Sequence, residues 1–258
     1  NGFCYRMCTE EGFNTLENSE TNEILRIPIE SLILRLIKIR YDPYKFFAEL
    51  ILKSDQLKIN ITDTLRQLIK LKLIKESTLK ITDMGIFCSK LPISLRYSIF
   101  LYKWFGENNP KGLGVVFAAV LNEYRKSFYE YPKLLNATYK EYIESTIENH
   151  QMYYSHFEHH TDLGTTLNIW KEFIQTFFSK YKLDIPEDAI IYFSQYYHLN
   201  TKMILNTVKS IQSLHNILSV ENDLIYGTFN TDNVLKVMIP ILYDILHDKR
   251  FILENSSK

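Results

Sequence analysis

From residue 29 onward, apolar positions recur mostly at the three-to-four spacing of an α-helix. Ile29, Leu32, Ile33, Leu36 and Ile37 form one such stripe, and Tyr41-Asp42-Pro43 stops it, because the residue before a proline avoids helical backbone. Pro43 then opens a second helix running through Leu52. Residues 62–74 place Leu65, Leu68, Ile69, Leu71 and Leu73 on a broad apolar face, with Thr62-Asp63 as its N-cap signal. The period changes to two over Ser77-Thr78-Leu79-Lys80-Ile81-Thr82, which predicts a strand, and Asp83-Met84-Gly85 leads into a short helix. Three helices followed by a β-ribbon is the order of a winged helix.

Beyond Ser94 the pattern is helical almost to the end, over 94–106, 113–129, 135–155, 163–179, 187–196, 200–218 and 231–247. Pro110, Pro132, Gly164, Pro186 and Gly227 separate most of these stretches. At the other end, Cys4-Tyr5-Arg6-Met7-Cys8-Thr9 alternates as a short strand, and a polar stretch with Asn14, Asn18, Ser19 and Asn22 follows. The chain therefore reads as mainly α: a tail over 1–23, a winged-helix domain over 24–92 and a helical bundle over 93–258.

Composition sharpens this picture at three points. Eight glycines and seven prolines in 258 residues lie below the average usage of roughly 7% and 5%, so loops are short and Gly-rich phosphate cradles scarce. A hydrophobic fraction of 46% supports a buried core and excludes disorder, collagen and coiled coil. The bias toward Ile, Asn, Lys and Tyr is that of an AT-rich genome, for which a large DNA virus is one source. Charge is balanced overall but uneven along the chain. Residues 1–23 carry one basic and five acidic side chains, 24–104 carry 15 and 7, and 105–258 carry 14 and 18, giving −4, +8 and −4. One surface facing phosphate, or Lys-rich solvated helix faces, explain the basic stretch equally well. Cys4, Cys8 and Cys88 are an odd number, which points to a reducing compartment, cytoplasm or nucleus (host cytoplasm or virion for a viral protein), with the cysteines in structural packing. No apolar run approaches the roughly 20 residues of a membrane span and no basic-then-apolar leader opens the chain. The expectation is a soluble, unprocessed protein or a fragment, with no membrane partner.

Catalytic motifs are absent. There is no G-x-x-x-x-G-K-[ST], Gly112-Leu113-Gly114 is too short to wrap phosphates, and neither G-x-S-x-G nor H-E-x-x-H occurs. No catalytic residue is assigned, and enzyme status is left open. His150, His156, His159, His160 and Asp162 cluster in sequence, with His156 and His160 at i, i+4. Thr161 and Gly164 signal a helix end, so caps and solvated surface are the favoured roles and no metal site is assigned. The aromatic runs Phe128-Tyr129-Glu130-Tyr131 and Tyr192-Phe193-Ser194-Gln195-Tyr196-Tyr197-His198 suit bundle core, with base stacking as the alternative. Arg125 and Lys126 beside Tyr124 and Tyr129 form the best basic and aromatic mixture.

The order of segments resembles the region after the second RecA-like domain of DEAH-box (DEAH/RHA) ATP-dependent helicases. Gly2-Phe3-Cys4-Tyr5-Arg6-Met7-Cys8-Thr9-Glu10-Glu11-Gly12-Phe13 is similar to the family's G-x-C-Y-R-L-Y-T-E-x-x-F, and Asp42-Pro43 with Phe46 to D-P-x-x-F. Asn22 to Ile27 and Leu32 to Ile37 look like P-E-I-x-R-x-x-L followed by its apolar repeat. Leu79 to Gly85 with Leu91-Pro92-Ile93 resembles L-T-x-L-G … x-P-L-D-P-R, and Ala118-Ala119-Val120-Leu121-Asn122 with Pro132 resembles A-A-M-L-S … R-P. Asp162 to Trp170 is similar to D-H-L-T-L-L-N-V-Y, with Leu163 replacing the His. The matches run in family order from residue 2 to about 170. Two departures stand out: Asn122 replaces the serine that faces the RNA backbone, and the segment from there to Pro132 is unusual.

The resemblance implies that residues 1–23 end a RecA-like domain, that 24–92 are a winged helix, and that 93–258 are a ratchet (HA2-like) bundle. It implies an excised region lying after motif VI and before an OB-fold, lacking both ATPase domains. Its function would be that of an accessory region of an ATP-dependent RNA helicase, helping to form the channel for single-stranded RNA (or DNA) and coupling ATPase domain movement to translocation. The implied partners are the single strand, RecA-like domains of the same polypeptide and an activator protein. The chain itself holds no cofactor; ATP and Mg2+ belong to the full-length enzyme. Strand contact is expected from Asn122, Tyr124, Arg125, Lys126 and Tyr129, and from Asp162, Thr165 and Asn168 on the facing helix start. The alternatives are a stand-alone winged-helix regulator that presents Arg66, Lys70 and Lys72 to duplex DNA, and a protein-interaction scaffold.

Overall fold

The computed structural model describes residues 3, 5, 7–15, 27–50, 55–123, 128–130, 138–220 and 229–246. Among them the fold is mainly α, with no strand beyond two isolated antiparallel bridges, Ile74 with Ile81 and Tyr129 with Leu199. The alternation at Cys4–Thr9 does not become a strand where it is described. Met7 and Cys8 bend, Cys8 is exposed rather than packed, and helix α1 begins at once over Glu10–Asn14.

Helices α2 (Glu30–Lys38), α3 (Pro43–Leu50) and α4 (Asp55–Lys70) pack around Ile33, Leu34, Leu36, Phe47, Leu57, Ile61 and Leu68, all buried. Helix α4 starts well before the Thr62-Asp63 signal. Leu57 and Ile61 extend its apolar stripe toward the N-terminus, and the Thr62 hydroxyl donates back to the Lys58 carbonyl (2.8 Å) rather than capping. Its end lies at Lys70, earlier than the apolar run suggests. Lys72 turns left-handed (φ 58°), with its N–H on the Ile69 carbonyl and the Leu73 N–H on the Leu68 carbonyl. Arg40 (φ 59°) and His198 (φ 53°) close α2 and a later helix in the same way. Glycine normally fills this position; a glycine-poor chain uses long polar side chains there.

The predicted ribbon over 77–82 contracts to one turn of hairpin. The Lys75 N–H reaches the Lys80 carbonyl and the Thr82 N–H the Leu73 carbonyl, while Glu76–Thr78 form the turn itself. Thr82 then caps α5 (Asp83–Cys88): its hydroxyl accepts from the Gly85 N–H (3.1 Å) and donates to the Lys72 and Leu73 carbonyls. A Cβ at Gly85 would lie 2.2 Å from the Leu73 oxygen, so glycine is what lets the end of α4 touch the start of α5. Burial pushes the Cys88 thiol at the end of α5 up to about 12.

The second part centres on α7 (Lys111–Glu123), whose residues from Gly112 to Leu121 are all buried. Helices α6 (Leu95–Gly106) and α12 (Thr201–Leu218) lie against it, and α13 (Thr231–Ile245) packs on α6. The remaining helices are α8 (Tyr139–Phe157), α9 (Asp162–Phe173), α10 (Ser179–Tyr181) and α11 (Glu187–Tyr196), with a π-helical segment over Ile174–Phe178 between α9 and α10. Gly114 faces the Trp104 indole, whose N–H donates to the Pro110 carbonyl at 2.9 Å. The predicted helix over 113–129 is shorter in the structure. Phe128 and Tyr129 are buried in extended backbone, joined through the Glu130 and Asn200 N–H groups to the His198 and Phe128 carbonyls.

Two predictions follow from this packing. In Gly114→Ala the new methyl would sit 2.4 Å from the Trp104 ring, and the overpacking should lower stability by about 1–3 kcal/mol, read as a fall in urea midpoint without change in slope. At the start of α8, the Thr138 N–H and hydroxyl both donate to Glu141 (2.7 and 2.8 Å) and hold its carboxyl below the usual carboxylate range. The Glu141 contribution is therefore complete above the ordinary carboxylate range and lost as pH falls through the lowered value. NMR titration should place Glu141 below the other surface glutamates, and Thr138→Ala, which removes the hydroxyl but keeps the larger backbone N–H contribution, should return it only part of the way.

Candidate nucleic-acid interface

Three helices begin with the same local chemistry: Thr9-Glu10-Glu11-Gly12, Thr82-Asp83-Met84-Gly85 and Thr161-Asp162-Leu163-Gly164. In each, the threonine hydroxyl accepts from the N–H of the glycine three residues on, and an acidic side chain occupies the first turn. At α9 this start carries three of the residues expected to contact a strand. Asp162 is exposed. Thr165 is buried, and its hydroxyl accepts from the His159 N–H (3.2 Å). Asn168 is half-buried; its amide donates to the Phe157 and Glu158 carbonyls at 3.2 and 3.4 Å, and its oxygen accepts from the Thr231 hydroxyl at 2.6 Å. It thus covers the free carbonyls at the end of α8 and ties them to the start of α13.

His159 completes this seam. Its Nδ1 accepts the Thr161 N–H (3.2 Å), which leaves the proton on Nε2, 3.1 Å from the Asp232 carboxylate. A Cβ on Gly164 would meet the ring at 2.0 Å, so the glycine makes room for it. His156 and His160 do not share a helix face, because α8 ends at Phe157; His156 Nδ1 lies 3.0 Å from the Met152 carbonyl. Among the described residues no group of three or more His, Cys, Asp or Glu has metal-binding geometry.

The other expected contacts lie apart from this seam. Asn122, at the end of α7, accepts from the Ser94 N–H at 2.9 Å and donates to Glu123 at 3.2 Å, bracing the start of α6. Tyr129 is buried against His150 and Tyr153. Tyr124, Arg125 and Lys126 lie outside the described residues.

Positive charge gathers at two clefts that sequence spacing did not reveal. Lys38, Arg40 and Lys80 line an open groove of about 890 Å³ with an apolar floor including Leu65, Ile81 and Ile86. They meet because the left-handed Arg40 and Leu79 reverse the chain on either side of it. Lys70, Lys72 and Lys103 border a second cleft, of about 340 Å³, where Lys103 pairs with Asp244. The exposed face of α4 is less basic than its sequence suggests, since Lys58 pairs with Asp55 and Arg66 with Asp63.

Replacing Asn168 by alanine would leave two helix-end carbonyls and the Thr231 hydroxyl without this partner. The expected destabilisation is about 1–3 kcal/mol, measured by urea denaturation. Amide exchange should increase first at the ends of α8 and α13.

No protein-family profile matches the chain. In sequence it is 30% identical over 96 residues to the ATP-dependent RNA helicase dhx29 of Xenopus laevis. It is likewise 30% identical over 95 residues to ATP-dependent RNA helicase DHX29 of Homo sapiens. Each match covers 37% of this chain and only 7% of the relative. More than a third of the chain is thus similar to part of an RNA helicase, and no described helix is long and apolar enough to cross a membrane.

Proposed function

We propose that this chain is a C-terminal accessory region of an ATP-dependent DEAH-box-type RNA helicase, with a winged helix over 24–92 and a ratchet-like bundle over 93–258. In this reading the region closes one side of a channel for single-stranded RNA and couples movement of RecA-like domains in the same polypeptide to translocation. ATP and Mg2+ act on those domains. An activator protein is a further partner of the whole enzyme. The observation that carries the reading is the stretch 30% identical to an RNA helicase. The helix order α2, α3, α4, the short hairpin and α5, followed by helices around an entirely buried α7, is compatible with it.

Within the channel, Arg125, Lys126 and Tyr124 supply phosphate and base contacts. The start of α9, with Asp162 exposed and Thr165 and Asn168 holding its geometry, forms the facing wall. Phosphate contacts of this kind give affinity with little sequence preference. The duplex-DNA reading is weaker, because the Asp55 and Asp63 carboxylates already engage two of the cations on the outer face of α4. Lys70 and Lys72 are left as the basic groups at its end.

Binding of labelled oligouridine, followed by anisotropy across a salt series, tests this. Arg125→Glu with Lys126→Glu should weaken binding and reduce the slope of log K against log salt by about 1.4, the value for two lost phosphate contacts on a single strand. An unchanged affinity and slope would remove residues 124–126 from the interface. A preference for duplex DNA at equal salt would overturn the single-strand reading.

A further inference from the structure

Helix α9 does not continue as an α-helix into α10. The π-helical turn Ile174–Phe178 carries one more residue per turn, and such insertions are found frequently at functional sites. Between this turn and α11 opens a cavity of about 460 Å³ lined by Thr176, Phe177, Ala189, Tyr192, Phe193 and Tyr196, with Tyr197 closing it. Its rings form a continuous array. Phe177 meets Phe193 at 5.4 Å, Phe193 meets Tyr197 at 4.9 Å, and Tyr197 meets Tyr196 edge-on at 4.8 Å. Tyr192 lies nearly parallel to Tyr196, 22° apart in plane.

The inner rings are core, but the outer two are not. Tyr192 is 71% and Tyr196 53% exposed, and at i, i+4 on α11 they present their faces together. Exposed aromatic pairs beside an open apolar cavity mark a binding surface rather than ordinary surface hydrophobics.

The charge on the helix beside the cavity decides what fits. Asp188, exposed one turn before Tyr192, continues the same stripe, and Glu187 adjoins it in the first turn of α11. The Glu172 carboxylate acts on Tyr197, whose hydroxyl burial and that charge raise above the ordinary tyrosine value, so the ring stays neutral. The cations that follow the π turn are Lys180 and Lys182, and the Lys180 ammonium already sits 4.8 Å above the Tyr181 ring, beyond Phe177 in the same array. Aromatic faces attract cations, and Asp188, one helical turn from Tyr192, with Glu172, whose charge acts on Tyr197, favours a cation over phosphate there. A planar cation can lie flat on the exposed tyrosine faces while its methylene stem contacts the apolar wall.

We propose that this aromatic pocket takes the guanidinium of an arginine from a basic peptide segment of a protein partner. Asn122, Phe128 and Tyr129 do not line this cavity, and the proposal does not rest on the helicase reading.

The test uses the whole chain and a fluorescein-labelled peptide of alternating glycine and arginine, with the same peptide carrying citrulline as its neutral isostere. The arginine peptide should bind and the citrulline peptide should bind at least about tenfold more weakly, the size of a lost desolvated cation–π contact. Tyr192→Ala with Tyr196→Ala should give a similar loss, whereas Tyr192→Phe with Tyr196→Phe should retain affinity, since the ring faces remain. Asp188→Asn should weaken binding most at low salt. Both tyrosines are exposed, so circular dichroism and the urea midpoint of the variants should match the parent. Equal binding of the citrulline peptide, absence of arginine-peptide binding, or unchanged binding by the alanine pair would overturn the proposal. Loss of oligouridine binding in the alanine pair, with no effect on the peptide, would reassign the pocket to base stacking. The peptide assay on the tyrosine variants and the oligouridine assay on Arg125→Glu with Lys126→Glu read different ligands on different variants, so failure of one reading is distinguishable from failure of the other.

Discussion

Helix α7 has no face for water. From Gly112 to Leu121 every residue is buried, with charge only at Lys111 and Glu123. A helix that is apolar all round has to be enclosed, and the bundle is the consequence. Helix α6 covers one side through Phe100 and Trp104, α12 another through Ile204, Val208 and Ile211, and Phe117 reaches Phe229 just ahead of α13. The small residues Gly114, Ala118 and Ala119 let these neighbours approach closely. The polar braces lie at the edges of this packing: Asn122 holds the start of α6, and the Arg96 guanidinium donates to the Ile245 carbonyl at the end of α13.

Glycine scarcity shapes the helix ends. At three starts a threonine cap is paired with one of the few glycines, and at two of those the glycine is where another group comes within contact: the Leu73 carbonyl at Gly85 and the His159 ring at Gly164. Among the described residues no glycine takes the left-handed position at a helix C-terminus. Arg40, Lys72 and His198 adopt the left-handed conformation, at a cost of about 1–2 kcal/mol each relative to right-handed backbone, offset by the paired hydrogen bonds each turn forms. One effect is on surface charge. Arg40 and Lys72 are placed at chain reversals beside the two basic clefts, which their positions in sequence do not suggest.

The polar residues of the candidate interface divide by role. Asn122, Thr165 and Asn168 brace helix junctions through hydrogen bonds to backbone or to other side chains, so changes there act on geometry before they act on any ligand. Asp162 and the lysine-bordered clefts face outward. Beside the π-helical turn the exposed tyrosines of α11 form a surface of different chemistry, aromatic and uncharged in its lining. The basic clefts and the aromatic cavity are thus lined by different residues.

The sequence by itself determined the helices and their order. The 3.6-residue period is a property of each segment, so α2, α6, α11, α12 and α13 fall within one or two residues of their apolar stripes. The proline breaks at Pro110 and Pro186 were legible for the same reason, but the threonine caps were not: Thr62 lies inside α4, while Thr9, Thr82, Thr138 and Thr161 do the capping. Tertiary structure decided what local period does not encode. It extended α4 back to Asp55 because Leu57 and Ile61 find a core, and it reduced the alternating 77–82 stretch to a single bridge because most of that stretch is turn. It drew Phe128 and Tyr129 out of a helix and into the wall between α8 and α11, where burial outweighed helical continuity. It also gave Asn168 and Thr165 partners distant along the chain or across a turn. Hydrogen bonds and burial depend on which segments meet in space, and that is fixed by the enclosure of α7 rather than by any residue's neighbours in sequence.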